Sequence, residues 1–515
     1  MSFESDQNEY ATLIKSITNF KLSNQKTISE EFTLYKLPLW DIFAPELAWR
    51  HLTVLLASKT IISRVKLWFK PFFLKIKSFY LLNFSFNNKK LIDKSYENII
   101  LCLALTPRMY TEVLLPIVEK LAKQRKFQIL ILTWNNKNDT MWIDQPNIVY
   151  QSIWSFWGKS SKSKRQKLSL AYEKSLEKFF KSNLKAIPMN SDINISQGNI
   201  NLLFRLLFKG IIPASLDQAA IAWEIIEKYS PKLVLSSDIS DSRTRIYSLL
   251  AKSLDISTFD VQFGLTGNEA IEWQFFKSDK VAAWGNMSEK VFQKKGISKN
   301  KIVKYGSPRH DILYNIIPKT IENLKLRLGI DFNNKVILLA STFLEPVHDM
   351  YTSKEVLENM KKSFYRSINN QKNVTTIIKT HPHEKLKNTM KLIPKNSAII
   401  YADKNIDIRY LVMICDIFVS FGSTATIDAL IAKKPVICPA FKGWPFCEVF
   451  EKTKAVFTPK TEFALISLID KLIKSEKKIT SEMFSYRKKF ISEVTSNVTG
   501  DAACKISNAI LSEIN

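Results

Sequence analysis

From Asn98 onward, short apolar runs alternate with stretches whose apolar residues recur every three or four positions. "NIILCLALT" reads as a buried strand. Val113, Leu114, Ile117, Val118 and Leu121 then mark a helix, and "FQILILTW" is a second strand. Strand, helix, strand in this order implies a parallel β-α-β unit. The rhythm resumes with a helix over about 217–229, the strand "PKLVLSSD", a helix over about 242–254 and the strand "ISTFDVQFG". A second alternating series starts near Lys280. It runs through "KVAAWG", "KIVKYGSPRHD", "KVILLAST", a long helix near 354–369, "VTTIIKTHPHE" and "SAIIYAD", and ends in "DIFVSFGSTATIDALIAKKPVICPAF".

These patterns predict an α/β chain of two Rossmann-like domains facing a cleft. Residues 1–95 form an N-terminal helical extension, and 96–275 a first Rossmann-like domain with a helical insert over about 150–212. Residues 276–480 form a second Rossmann-like domain, and 481–515 a helical tail that caps the second half or crosses back to the first. The insert carries the basic run "KSSKSKRQK" and an apolar stripe at Leu168, Tyr172, Leu176, Phe179 and Phe180. In the extension, Val65 to Phe86 interleaves aromatic residues with Lys66, Lys70 and Lys77, around Pro71. That pattern fits a helix lying in a membrane interface and equally one packed on the next domain.

In open parallel sheets, ligands gather at the carboxyl ends of the strands. The opening of "STATIDALIAKK" is a candidate anion site. Gly422 permits close backbone approach, Ser420, Ser423 and Thr424 supply hydroxyls, and exposed N–H groups begin a helix. Asp428, one turn on, could accept hydrogen bonds from ribose hydroxyls, whereas Ser423 or Thr424 could equally serve only as a cap. Other strand ends in the same half add Lys379, His381 and His383, Gly306, Ser307 and Arg309, and Ser341 and Thr342. Together they read as a nucleotide-diphosphate pocket. Four of the five histidines, His310, His348, His381 and His383, fall in or near these loops.

Composition narrows this further. Lys and Arg outnumber Asp and Glu by 75 to 48, a formal charge of +27, which suits an anionic partner. Much of it is surface lysine, and no nucleic-acid module accompanies it, so no nucleic-acid partner is expected. The five cysteines show no CxxC or Cys/His spacing, and no Asp-X-Asp chelator appears, so no metal site is expected. The acidic start "MSFESDQNEY" is unlike a signal peptide, and no window approaches the length of a membrane span. A reducing, cytoplasmic location follows as an expectation.

The order "PKLVLSSD", "VQFG", "AAWG", "YGSPRHDIL", "IKTHPHE", "SFGSTATIDALIAKKPVI" resembles bacterial GT-B glycosyltransferases. It is most similar to the CDP-glycerol glycerophosphotransferase and capsular-polysaccharide transferase group, over about Ile226 to Pro439. The resemblance implies transfer from a nucleotide-activated sugar or CDP-polyol, bound as substrate with no tightly held cofactor, to a glycan or lipid-linked acceptor. It places the donor phosphates at Ser423, Thr424 and near His381, and the acceptor at Arg108, Glu112, Asp238 and Arg243, with Gln262 and Gly264 nearby. It also makes an anionic membrane surface at the inner face of the cell membrane a candidate partner. Members of the group commonly carry a catalytic histidine between that glutamine and glycine; here the position is Phe263. His381 is then a catalytic candidate together with Asp238 or Glu269 as the base, or the chemistry differs from that of the polymerases, or the chain is an inactive nucleotide- or glycan-binding subunit. A nucleotide-sugar 2-epimerase is the enzyme alternative on the same fold.

Overall fold

The computed structural model describes residues 14, 16–47, 69, 70, 73, 98–134, 143–182, 197–267, 271–315, 317–344, 352–369, 371–381, 384, 387, 390–393, 399–474 and 481–514. Apart from 69, 70 and 73, the lysine-aromatic segment Val65 to Phe86 lies outside them. The chain divides into two compact units. One comprises the residues up to Trp284, Ser288–Arg309 and the stretch from Asp501; the other comprises Gly285–Met287 and His310–Gly500.

The first unit opens with a two-residue hairpin, β1 (Thr33–Leu34) and β2 (Leu37–Pro38), turned by Tyr35 and Lys36 at φ 49° and 65°. Its main sheet has seven parallel strands: β3 (Ile99–Ala104), β4 (Gln128–Thr133), β5 (Ile148–Ser152), β6 (Leu233–Ser236), β7 (Ser257–Val261), β8 (Lys280–Ala283) and β9 (Ile302–Lys304). Their spatial order is β5-β4-β3-β6-β7-β8-β9. The alternation of side chains along each strand divides the core into two layers. Leu101, Leu103, Leu130 and Leu132 join a cluster with the N-terminal residues and the insert. Ile100, Cys102, Ile129 and Ile131 join another with the helix Leu115–Ala122. The C-terminal helix Ala502–Ile514 lays Ala503, Ile506 and Ile510 on that second layer, so the end of the tail belongs to this unit.

The second unit holds five parallel strands: β10 (Lys335–Ala340), β11 (Val374–Lys379), β12 (Ile399–Tyr401), β13 (Ile417–Ser420) and β14 (Val436–Ile437). Their order is β12-β11-β10-β13-β14. Ala340 stands level with Lys379 on one side and Ser420 on the other.

Three expectations are corrected. The boundary at 276 falls too early, because β8 and β9 complete the first sheet; strand-helix alternation continues across the true boundary, and periodicity cannot mark it. Gly306, Ser307 and Arg309 therefore follow the last strand of the first sheet, outside the five-stranded unit. The insert is also misjudged at both ends. Residues 148–152 are strand β5. Gln197–Leu206, a π-helical turn at Leu207–Ile211 and Ile212–Tyr229 follow one another without a break. Of the stripe, Leu168, Tyr172 and Phe179 are buried, but Phe180 is exposed beneath Lys209 Nζ, 4.9 Å from its ring centre.

The N-terminal residues are not an appendage. Phe32 packs among Tyr172, Phe179 and Phe208, and Trp40 is fully buried. Arg245, on the helix Ser242–Lys252, ties this segment to the sheet. Its guanidinium donates to the carbonyls of Asp41 (2.6 Å), Ile42 (3.2 Å), Ile239 (2.8 Å) and Phe275 (2.9 Å). Burial lowers its pKa to about 10. Arg245→Met strips these carbonyls of their donor in a dry setting and is expected to cost on the order of 3–5 kcal/mol in urea unfolding. A loss below about 1 kcal/mol would mean the carbonyls find other donors.

Candidate functional site

A parallel sheet whose strand order reverses leaves a crevice at its carboxyl edge between the two strands that start in opposite directions. In the five-stranded sheet those strands are β10 and β13. Because Ala340 pairs with Ser420, the loops beginning at Ser341 and Phe421 leave the sheet side by side.

Most of the predicted residues at this edge can be placed. Ser341 is 5% exposed, and its Oγ has no hydrogen-bond partner among the described residues. Gly422 has φ +97°, and a Cβ there would press into the Phe446 carbonyl, so the position needs glycine for both conformation and space. Ser423 Oγ accepts from Ala425 N at 3.3 Å. Thr424 caps the following helix by position, and its side chain makes no capping hydrogen bond. That helix, Ala425–Ile431, has only two turns, so what the loop offers an anion is hydroxyls and loop N–H groups more than a helix dipole. Ser420 is buried and shares a hydrogen bond of 2.7 Å with Thr426. His381 follows β11, half-buried, with its ring 6.4 Å from that of Phe343 and 14° off parallel.

Other candidates are used internally. Asp428 is fully buried and faces His310 Nε2 at 3.5 Å. Lys379 Nζ donates to the carbonyls of Asp403 (2.6 Å) and Lys404 (2.9 Å). Thr342 gives its carbonyl to Lys361. His383, His348 and Glu269 lie outside the described residues.

In the seven-stranded sheet the reversal lies between β3 and β6. After β3, Thr106 caps a short helix that runs into a π-helical turn, Tyr110–Leu114. This brings Arg108 and Glu112 together, with Arg108 Nε 2.7 Å from Glu112 Oε1. Glu112 also accepts from Arg309, which is 1% exposed; the expected phosphate ligand is thus a buried partner of a carboxylate. The Arg108 guanidinium sits 5.6 Å from the centre of the Phe263 ring. Gln262 is spent at both ends, donating to the Gly264 carbonyl (2.8 Å) and accepting from Trp284 N (2.9 Å). Gly264 has open space beside it, Gly306 has φ +79°, and Ser307 is buried without a hydroxyl partner among the described residues. Arg243 is held by Asp241 through two nitrogens.

Asp238, after β6, accepts from Ser240 N (2.8 Å), Ser240 Oγ (2.9 Å) and Asp241 N (3.0 Å). Burial raises its pKa, with Asp241 adding to the effect. With Arg245 and Ser278 it lines a small pocket that also reaches Asp260. Asp260, which the sequence reading did not single out, is almost fully buried and accepts from Ser236. Burial raises its pKa despite hydrogen bonds from Ser236 and Ser278 and the nearby Arg245 charge. Lys361 and Glu384 were likewise missed. The available signal was a lysine on the apolar stripe of Leu357, Met360 and Phe364.

Residues 261–512 match the family profile of CDP-glycerol:poly(glycerophosphate) glycerophosphotransferase. Over that stretch this chain is similar to those transferases. The match includes the whole five-stranded sheet and the Phe263 loop. Among curated proteins, no sequence matches the chain. Among solved structures, the UDP-GlcNAc 2-epimerase of Neisseria meningitidis bound to UDP-GlcNAc has 15% identity and a TM-score of 0.50, covering 81% of this chain and 100% of that one. The S. aureus MnaA–UDP structure has 14% identity and a TM-score of 0.49, covering 80% and 96%. A variant of the wall teichoic acid polymerase TagF has 12% and 0.49, covering 81% and 89%. The fold is therefore the two-Rossmann-domain fold of this class, as the resemblance implied.

Two outcomes test the geometry. Gly422→Ala forces a Cβ against the Phe446 backbone at positive φ and should destabilise the second unit by about 1–3 kcal/mol in urea unfolding. A neutral result would show that the loop relaxes. For Asp260, a folded pKa above the unfolded one means stability is fully present below the unfolded pKa and is lost as pH rises through the folded value. Asp260→Asn should therefore be more stable than wild type at pH ~7, with the gap closing towards pH ~4. A gap that is constant with pH would contradict the raised pKa.

Proposed function

We propose that this protein transfers a glycosyl or polyol-phosphate group from a nucleotide-activated donor, and that the donor diphosphate lies at the carboxyl edge of the five-stranded sheet between the Ser341–Phe343 and Phe421–Thr424 loops. The observation that carries this reading is Ser341 Oγ, nine-tenths buried and without a protein partner among the described residues, at the point where strand order reverses. Ser423, Thr424 and the loop amides around Gly422 supply further donors. A departing nucleotide diphosphate needs such donors as its charge develops. The transferase family match over this same edge favours transfer over epimerisation, which the fold alone would equally accommodate.

The acceptor is a glycan or lipid-linked polyol phosphate of the cell surface, received at the loops after β3 and β6 with Arg108 as its exposed cation. The protein works on the inner face of the membrane, where its charge of +27 favours an anionic surface. Among the described residues no helix is long and apolar enough to cross a membrane.

A thermal-shift screen with CDP, CMP, UDP and GDP and their activated sugars or polyols tests the donor. One nucleotide should stabilise selectively, by about 2.7 kcal/mol at 100 times its Kd. Ser341→Ala with Ser423→Ala and Thr424→Ala should weaken that binding by about tenfold, a loss of roughly 1.4 kcal/mol. Unchanged affinity in the folded triple variant would overturn the placement.

A further inference from the structure

Lys361 and Glu384 form an ion pair of 2.5 Å in which both side chains are 6% exposed. Lys361 lies on the helix Lys354–Ile368 and Glu384 just after β11. A pair this deeply buried is costly to desolvate and is weak evidence of a contribution to stability. Its other bonds indicate what it does. Lys361 Nζ also donates to the Thr342 carbonyl at 2.8 Å, fixing the loop after β10. Glu384 closes a turn on His381. Its N–H donates to the His381 carbonyl at 2.9 Å, and its second carboxylate oxygen accepts from His381 N at 3.4 Å. One ion pair thus joins the ends of two neighbouring strands, next to where the rings of Phe343 and His381 stack. Burial lowers the Lys361 pKa, and Glu384 opposes that shift.

We propose that the Lys361–Glu384 pair is the positioning device of the nucleotide site, setting His381 against the Ser341–Phe343 loop before the donor arrives. This rests on the donor site proposed above. Neither side chain touches the ligand; both act through the backbone of residues that do. The cost of burying two charges is then the cost of a preorganised site.

The test uses the full chain with the nucleotide that the thermal screen selects. Lys361→Met and Glu384→Leu, each alone, leave one buried charge unpaired and should lower Tm markedly. The double variant replaces the pair with apolar groups and should return Tm to near the wild-type value. Its nucleotide Kd should nevertheless rise about tenfold or more, and amides of 341–343 and 379–381 should exchange with deuterium faster than in wild type. A double variant that regains both Tm and affinity would make the pair merely structural. Should the double variant not fold, Glu384→Gln decides. It keeps one acceptor oxygen where the carboxylate had two, so either the Lys361 bond or the His381 N–H bond is lost, and affinity should fall about tenfold. A folded Glu384→Gln that binds within about threefold of wild type would overturn the positioning role. Wild-type protein that binds no nucleotide overturns the donor reading and this inference together.

Discussion

Every strand of both main sheets runs parallel to its neighbours, and most of the molecule follows from that constraint. A parallel strand cannot be reached by a tight turn, so each connection crosses over a face of the sheet and usually carries a helix. Both faces are then covered, which is why the sequence from β3 to β14 reads as nearly continuous apolar runs, without polar alternation. The same constraint puts all carboxyl ends of a sheet on one edge. Reversal of strand order then opens that edge at one place per sheet, beside β3 and β6 in one and β10 and β13 in the other.

Residues 14–47 show the opposite use of polar groups. They form short helices and a small hairpin, and several of their carbonyls take donors from elsewhere in the unit. Arg245 provides several from one rigid fork, and the Glu31 carbonyl accepts from Ser175 Oγ on the insert at 2.9 Å. These bonds, with the Phe32 and Trp40 packing, make the segment part of the first unit's core. Elements this short leave little periodic trace in sequence.

That difference explains what was legible. β3, β4, β6, β7, β10, β11 and β13 could be read as apolar runs, and the helix Lys354–Ile368 from its stripe. The edge strand β5, "IVYQS", is half polar and was absorbed into the insert. The boundary between units was invisible because the alternation does not pause at β8 and β9. At the sites, strand ends were located well, but the direction of each side chain was not. Asp428, Lys379, Arg309 and Gln262 all sit where a ligand contact was expected, and each is turned inward to a protein partner. Sequence shows which polar residues reach an edge; only packing shows which are already satisfied.

Phe263 is where these two levels meet. Its ring receives the Arg108 guanidinium, and Arg108 is in turn tethered by Glu112, which Arg309 also holds. A neutral aromatic face attracts a guanidinium. An imidazole in the same place would lose that attraction on gaining a proton, because two like charges would then face each other. Phenylalanine at 263 and arginine at 108 are therefore one feature. The pair gives up a proton acceptor beside the β7 loop and keeps a permanent cation there, with its side chain 46% exposed. The Glu112 oxygens are already engaged by two guanidiniums, those of Arg108 and Arg309. An anionic group at this edge would meet the fixed positive charge of Arg108, which can orient or neutralise it, while the ring of residue 263 has no atom that can take up a proton.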